Sequence, residues 1–89
     1  MVNEETRNHL AQVLQDLGEQ LRRWGGQENY TRAEQCYKHA QRLFEIVFGP
    51  QSEAMAAVLS DLGELYQTQD AFAEAKHTYQ QAQVIRQRP

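Results

Sequence analysis

The sequence has a single cysteine, only two prolines and no long apolar run. Cys36 has no partner for an internal disulfide, and no Cys-x-x-Cys pair offers a structural metal site. We therefore expect a reducing compartment and no bound metal or other cofactor. No apolar stretch approaches the roughly 18 residues of a membrane span, and the N-terminus lacks the basic and apolar segments of a secretory signal. These absences predict a soluble, cytoplasmic protein without membrane contact.

An excess of basic charge is also missing. Nine Lys and Arg residues stand against twelve Asp and Glu residues, for a net charge of −3, so a nucleic-acid partner is not expected. No Gly-x-Ser-x-Gly motif and no phosphate-binding glycine loop is present, and we expect no enzymatic activity. With 89 residues the chain is long enough for one domain, 1–89, whose own core is marginal without a neighbour. This size favours a function that depends on protein partners.

The sequence contains an internal repeat. The segment 13–19 recurs as 58–64 with one residue in seven changed, an offset of 45 residues. A second set, Tyr30, Ala33, Tyr37 and Ala40, recurs as Phe72, Ala75, Tyr79 and Ala82 at an offset of 42. The three-residue difference falls near Gly25-Gly26, a turn signal at which insertions cost little. Each copy is therefore predicted to form a helix, a turn and a second helix.

Helical periodicity supports four helices, at about 4–24, 30–48, 53–69 and 71–87. Each helix has apolar residues three and four apart, which predicts one core-facing stripe per helix. In chain order the stripes are Leu10, Val13, Leu14, Leu17 and Leu21; Tyr30, Ala33, Tyr37, Ala40 and Phe44; Met55, Val58, Leu59, Leu62 and Tyr66; Phe72, Ala75, Tyr79, Ala82 and Ile85. Asn3, Asn29, Ser52 and Asp70 are the predicted N-caps, and Gly25-Gly26 and Gly49-Pro50 the predicted stops.

The second copy carries Leu59, Leu62-Gly63, Tyr66, Ala75, Tyr79 and Ala82, and the first carries Leu14, Leu17-Gly18, Leu21, Ala33, Tyr37 and Ala40. This pattern resembles the tetratricopeptide repeat. The long link 48–53, with its Gly-Pro, resembles the kinesin-light-chain variety of that family. The resemblance implies an all-α fold of four antiparallel helices in two hairpins, about 4–48 and 53–87, stacked as a short right-handed α-solenoid. Gly18 and Gly63 are expected to permit close helix approach opposite Ala33 and Ala75.

The resemblance also implies a function, the binding of a peptide or helix of a partner protein in a concave groove lined by the first helix of each hairpin. The groove residues carried over from the family are Gln12, Gln15, Asp16, Glu19, Arg22 and Arg23 in the first hairpin, and Ala57, Ser60, Asp61, Glu64, Gln67 and Thr68 in the second. Two acid pairs recur at matching positions, which favours a basic or amide-rich ligand. The alternative is a solvated face on which Glu19 pairs with Arg22 or Arg23.

Several interpretations are compatible with the sequence. Trp24 is either an interface anchor or a residue that closes the base of its hairpin. Cys36 and His39 share a helix face, but two ligands do not make a zinc site, and a surface position is the simpler interpretation. Two repeats are fewer than the three usually needed for a continuous core, so self-assembly as a homodimer, by hairpin stacking or helix exchange, is the alternative function. The polar C-terminus, residues 86–89, favours a closed dimer over an open polymer.

Overall fold

The computed structural model describes residues 3–87, which form four α-helices and contain no strand. The helices are α1 (Glu4–Trp24), α2 (Gln27–Phe48), α3 (Glu53–Thr68) and α4 (Phe72–Arg86). α1 packs along α2 and α3 along α4, and the two hairpins are joined chiefly through the packing of α2 on α3. The expected all-α architecture of two stacked helical hairpins is confirmed.

Two of the predicted N-caps hold their helices as expected. The side chain of Asn3 accepts a hydrogen bond from the Thr6 amide at 2.8 Å, and that of Ser52 accepts one from the Met55 amide at 3.2 Å. Both predicted stops are confirmed too, since Gly25 and Gly49 end α1 and α2 with φ of 80° and 87°. These left-handed conformations favour glycine because it has no Cβ.

The other two predicted caps are wrong. α2 begins at Gln27, three residues earlier than predicted, because Gly25 and Gly26 reverse the chain on their own. Asn29 therefore lies inside the first turn of α2, where its Nδ2 donates to the Gly25 carbonyl at 2.9 Å. In the connection between α3 and α4, the N-cap residue of α4 is Ala71. Asp70 has a left-handed φ of 61° and does not cap the helix.

Each hairpin closes on a contact between glycine and tyrosine. A Cβ added to Gly18 would lie 2.6 Å from Cε1 of Tyr37, and one added to Gly63 would lie 2.8 Å from the ring of Tyr79. The expectation of close helix approach at these glycines is confirmed. Their nearest neighbours, however, are the tyrosine rings and not the alanines Ala33 and Ala75 that the sequence suggested. The missing Cβ thus makes room for a flat aromatic ring.

The apolar residues of α1 do not form one core-facing stripe as predicted. Leu21 is buried and Leu14 is partly buried against the core, as expected. In contrast, Leu10, Val13 and Leu17 are 47%, 49% and 43% exposed. The stripe of α4 divides in the same way, with Ala75 and Ala82 buried and Phe72 and Tyr79 exposed. Both outer helices therefore leave apolar side chains at the surface.

Candidate functional site

The first helices of the two hairpins, α1 and α3, are joined by two polar contacts. Nε2 of Gln15 donates to Oδ2 of Asp61 at 2.7 Å, and a guanidinium nitrogen of Arg22 lies 2.8 Å from a carboxylate oxygen of Glu64. All four residues were predicted to line the groove. The structure brings them together as two pairs between the hairpins, so their hydrogen-bonding capacity is partly used within the protein.

Burial affects the electrostatics of this contact between α1 and α3, which we term the seam. It raises the pKa of the Asp61 carboxyl above its ordinary value, and the Gln15 hydrogen bond opposes that rise. Arg22 is only 19% exposed, and among residues 3–87 its Nε has no hydrogen-bond partner. Burial also raises the pKa of the neighbouring Tyr37, which keeps its hydroxyl neutral. The seam therefore holds a semi-buried Arg22 close to Asp61 and Glu64.

Four other predicted groove residues have partners within their own hairpin. Glu19 pairs with Arg23 at 3.0 Å one turn along α1, which is one of the two pairings that the solvated-face interpretation offered. Ser60 accepts a hydrogen bond from Arg86 at 3.1 Å, and Gln67 accepts one from the Tyr79 hydroxyl at 3.2 Å. Three of the four acids in the two recurring pairs thus have internal partners.

Gln12 and Asp16 are the most available of the predicted residues. Both are exposed. Nε2 of Gln12 donates to the side chain of Asn8 at 3.2 Å, whereas Asp16 has neither a hydrogen bond nor an ion pair within the part of the chain that the structure describes. A ligand that reaches this part of α1 meets an amide and an unneutralised carboxylate.

A hollow of about 470 Å³ lies beside these two residues, between α1, the end of α2 and the start of α3. Its lining consists of Asn8, Gln12, Gln15, Asp16, Phe44, Phe48 and Ala54. The rings of Phe44 and Phe48 stack with centroids 6.2 Å apart and planes inclined by 28°. Phe44 is buried and Phe48 is 50% exposed, so the hollow combines an aromatic wall with a polar edge.

Sequence reasoning missed Phe44 and Phe48 as site residues. Phe44 was predicted as a core residue of the second helix, which is correct, and Phe48 was assigned to the link 48–53. The signal that could have found Phe48 is its place at the last residue of α2, directly before the Gly49 stop. A side chain at a helix end beyond the core is free to face a groove.

Another hollow, of about 500 Å³, is slightly larger but is a weaker candidate. It follows the outside of α2 and is lined by Gln35, Lys38, His39, Gln41, Arg42 and Glu45. All six residues belong to one helix, so no opposing wall would enclose a ligand. Binding sites are typically clefts between elements, which favours the hollow beside Phe48.

Within residues 3–87, no group of three or more His, Cys, Asp or Glu side chains is arranged to hold a metal ion. The Cys36 thiol is partly buried, and burial raises its pKa, which disfavours the nucleophilic thiolate. No helix of this described part has the length and apolar content required to cross a bilayer.

The hairpin geometry and the repeat pattern agree with a comparison against protein families. A family model described as tetratricopeptide repeat matches residues 24–88, more than two thirds of the chain. The chain belongs to the tetratricopeptide-repeat family. Comparisons with curated proteins and with solved structures gave no match. Tetratricopeptide repeats generally mediate protein–protein interactions and are generally non-catalytic, which accords with a site made of amides, carboxylates and an aromatic wall.

Proposed function

We propose that this tetratricopeptide chain is a non-catalytic adaptor that holds a peptide or helix of a partner protein in the groove along α1 and α3. The hollow beside Phe48 is the observation that carries the proposal. It lies on the groove side of α1, touches both hairpins, and offers an apolar surface next to polar groups. Protein ligands are commonly anchored by one apolar side chain and oriented by a few hydrogen bonds.

The chemistry of the groove selects the ligand. An aliphatic or aromatic side chain fits against Phe48, where it removes half-exposed ring surface from water. Gln12 and Asp16 then favour an amide or a basic side chain one helical turn away. Asp61 and Glu64 contribute less to this preference than their charges suggest, because Gln15 and Arg22 already bind them.

The proposed site residues have different roles. Gln12, Gln15 and Asp16 contact the ligand, and Glu19 and Arg23 extend the surface along α1. Arg22, Asp61 and Glu64 take part in the polar contacts between the hairpins. Ser60 and Gln67 lie at the end of the groove nearest α4, where they already accept hydrogen bonds from Arg86 and Tyr79. The resulting proposal places the ligand nearer the first hairpin than the second.

A peptide selection tests this function. The immobilised chain would select binders from a random displayed peptide library, and fluorescence anisotropy would measure synthetic versions. We expect dissociation constants of about 10 µM or tighter and an enrichment of sequences that place an apolar residue near an amide or basic one. Phe48→Gln and Gln12→Ala should each weaken binding at least about fivefold.

The matched control is Gln80→Ala, an exposed residue on α4 outside the groove. This variant should bind the selected peptides as the unmodified chain does. Glu64→Lys should weaken basic peptides, because it reverses a charge at the seam and releases Arg22. Peptides whose affinity is unchanged by Phe48→Gln, Gln12→Ala and Glu64→Lys would contradict binding in the groove.

We also infer that the hairpins are of the kinesin-light-chain variety and that 1–89 acts as one two-repeat domain. The repeat offset of 42 to 45 residues exceeds the usual length of about 34. The first hairpin has the longer helices, with 21 and 22 residues against 16 and 15 in the second. The single, partly buried Cys36 supports a reducing compartment, the cytoplasm.

A closed homodimer through the first hairpin is the alternative function. The exposed apolar residues of α1 favour it. Open-ended stacking through α4 is disfavoured, because Arg86 occupies the position that Phe44 has in α2 and is bound to Glu53 at 3.0 Å. Sedimentation velocity over a concentration series separates these states, and a monomer at every concentration removes the alternative.

A further inference from the structure

Four exposed apolar residues share one side of α1 and define a surface that we term the N-face: Leu10, Val13, Leu17 and Trp24. Their spacings of three, four and seven residues keep them on one side of the helix. Together they extend over about 20 Å of helix length at 1.5 Å per residue. Trp24 is 68% exposed, so it does not close the base of its hairpin.

The second repeat shows how the corresponding surface of α3 is covered. At the offset of 45 residues, the first three N-face residues correspond to Met55, Val58 and Leu62, which are only 4%, 0% and 3% exposed. These three residues form one buried cluster with the α2 residues Tyr37, Ala40 and Phe44. The same positions are therefore closed in α3 by the second helix of the preceding hairpin.

The polar edge of the N-face follows the same relationship. Asp16 and Glu19 correspond to Asp61 and Glu64, which bind Gln15 and Arg22 of the preceding hairpin. Trp24 corresponds to Gln69, whose side chain accepts a hydrogen bond from Gln27 at the start of α2, at 3.3 Å. The α3 contacts of Met55, Val58 and Leu62 thus have matching exposed positions on α1. Asp16 has no partner within residues 3–87, whereas Glu19 is paired with Arg23 of its own helix.

We propose that the N-face docks a helical hairpin of another polypeptide, one that resembles the first hairpin of this chain. Its second helix presents aromatic and small residues to Leu10, Val13 and Leu17, as Tyr37, Ala40 and Phe44 do for α3. Its first helix supplies an amide to Asp16 and a second basic partner to Glu19, beside Arg23. The charge of the acid edge is thereby matched. Gln20 replaces the buried Leu65, so this docking surface is more polar than the internal one.

A second copy of the chain does not meet these requirements. In a dimer through two α1 helices, the Gln15 and Arg22 of each copy are already bound to its own Asp61 and Glu64. In a head-to-tail stack, the second hairpin would offer Ser60 and Gln67 at the donor positions. That hairpin also carries Arg86, bound to Glu53 and Ser60, in place of Phe44. The observations therefore favour a heterologous partner.

A tandem fusion tests the docking surface with a known probe, the chain's own first hairpin. Residues 3–52 are placed directly before residues 8–89, so that Ser52 precedes Asn8 as it precedes Glu53 in the native chain. If the N-face accepts the added hairpin, the fusion unfolds in one transition whose midpoint is at least about 5 °C above that of the 89-residue chain. If the added hairpin carries Trp24→Phe, the one tryptophan left in the fusion is Trp24 of the downstream copy. Its fluorescence emission should shift to the blue when the added hairpin covers it.

The controls are substitutions in the downstream copy. Val13→Gln with Leu17→Gln should abolish the gain in the fusion yet leave the midpoint of the native chain nearly unchanged, because both residues are exposed there. Asp16→Asn with Glu19→Gln should remove part of the gain. A fusion with no higher midpoint, or with the same gain in the Val13 and Leu17 variant, would overturn the proposal.

Self-association of the native chain that is lost with Val13→Gln and Leu17→Gln would identify a second copy as the occupant and would also overturn the proposal. The groove function is distinguishable from this surface. Selected peptides that bind beside Phe48 should keep their affinity in the Val13 and Leu17 variant, because neither residue lines the hollow.

Discussion

Leu17 and Leu62 occupy the same position in the two repeats, yet Leu17 is 43% exposed and Leu62 is 3% exposed. The difference arises from the preceding hairpin. Leu62 is covered by α2, whereas no helix within residues 3–87 covers Leu17. One amphipathic pattern thus produces a core in one repeat and a surface in the other. This relationship underlies the stability of the stack and is the basis of the docking proposed for the N-face.

The glycines opposite the tyrosines should differ in their tolerance of a Cβ. Gly18→Ala should destabilise the protein by about 1 to 2 kcal/mol, because the clash with the fully buried Tyr37 exceeds the gain in helix propensity of about 1 kcal/mol. Gly63→Ala should be close to neutral, because Tyr79 is 36% exposed and its ring can move outward. Urea unfolding measures both, and equal effects would contradict the packing described.

The left-handed turn at Asp70 gives a test of the corrected helix start. Asp70→Gly should stabilise the protein by about 0.5 kcal/mol or more, because glycine adopts a φ of 61° without the strain of a side chain. Ser52→Ala, at a residue that does cap its helix, should cost about 1 kcal/mol. A loss of stability in both variants on thermal unfolding would instead support Asp70 as the cap of α4.

The hydrogen bond from Tyr66 to Glu34, at 2.8 Å, predicts a decline in stability at alkaline pH. Burial, assisted by the Glu34 carboxylate, raises the pKa of Tyr66 from 10.0 to about 12. Between these values the unfolded chain loses the tyrosine proton before the native chain does, so the free energy of unfolding falls as pH rises from about 10 to 12.

Urea unfolding across that pH range would measure this fall. Tyr66→Phe should make it shallower, because the titrating group is removed. Glu34→Gln should reduce it partly, since burial remains while the carboxylate charge is lost. A slope in Tyr66→Phe identical to that of the unmodified chain would show that Tyr66 is not coupled to folding.

The sequence predicted the elements of the fold because repetition adds to periodicity. Segments 13–19 and 58–64 are nearly identical, and a shared helix–turn–helix is the simplest structure that explains them. Glycine stops at Gly25 and Gly49 were readable because a left-handed φ disfavours other residues. The N-caps predicted at Asn29 and Asp70 were wrong. Both residue types are common caps, but the backbone geometry of the turns determined where α2 and α4 begin.

The candidate site was only partly predictable, because periodicity identifies a helix face but not what covers it. Leu10, Val13 and Leu17 have the spacing of core residues, and only the three-dimensional stack shows that their covering helix is missing within residues 3–87. The side-chain pairs between α1 and α3 could not be predicted from the sequence either. Arg22 and Glu64 are 42 residues apart in sequence, and their contact depends on the relative placement of two hairpins.

The most direct test of the account compares Leu62→Ala with Leu17→Ala by urea unfolding. The stack predicts a loss of about 3 kcal/mol for Leu62→Ala, which leaves a cavity between α2 and α3. It predicts a loss of about 1 kcal/mol or less for Leu17→Ala, at the matching but uncovered position. Equal losses at the two positions would show that α2 does not close the second repeat in this way, and would contradict both the stack and the open face on α1.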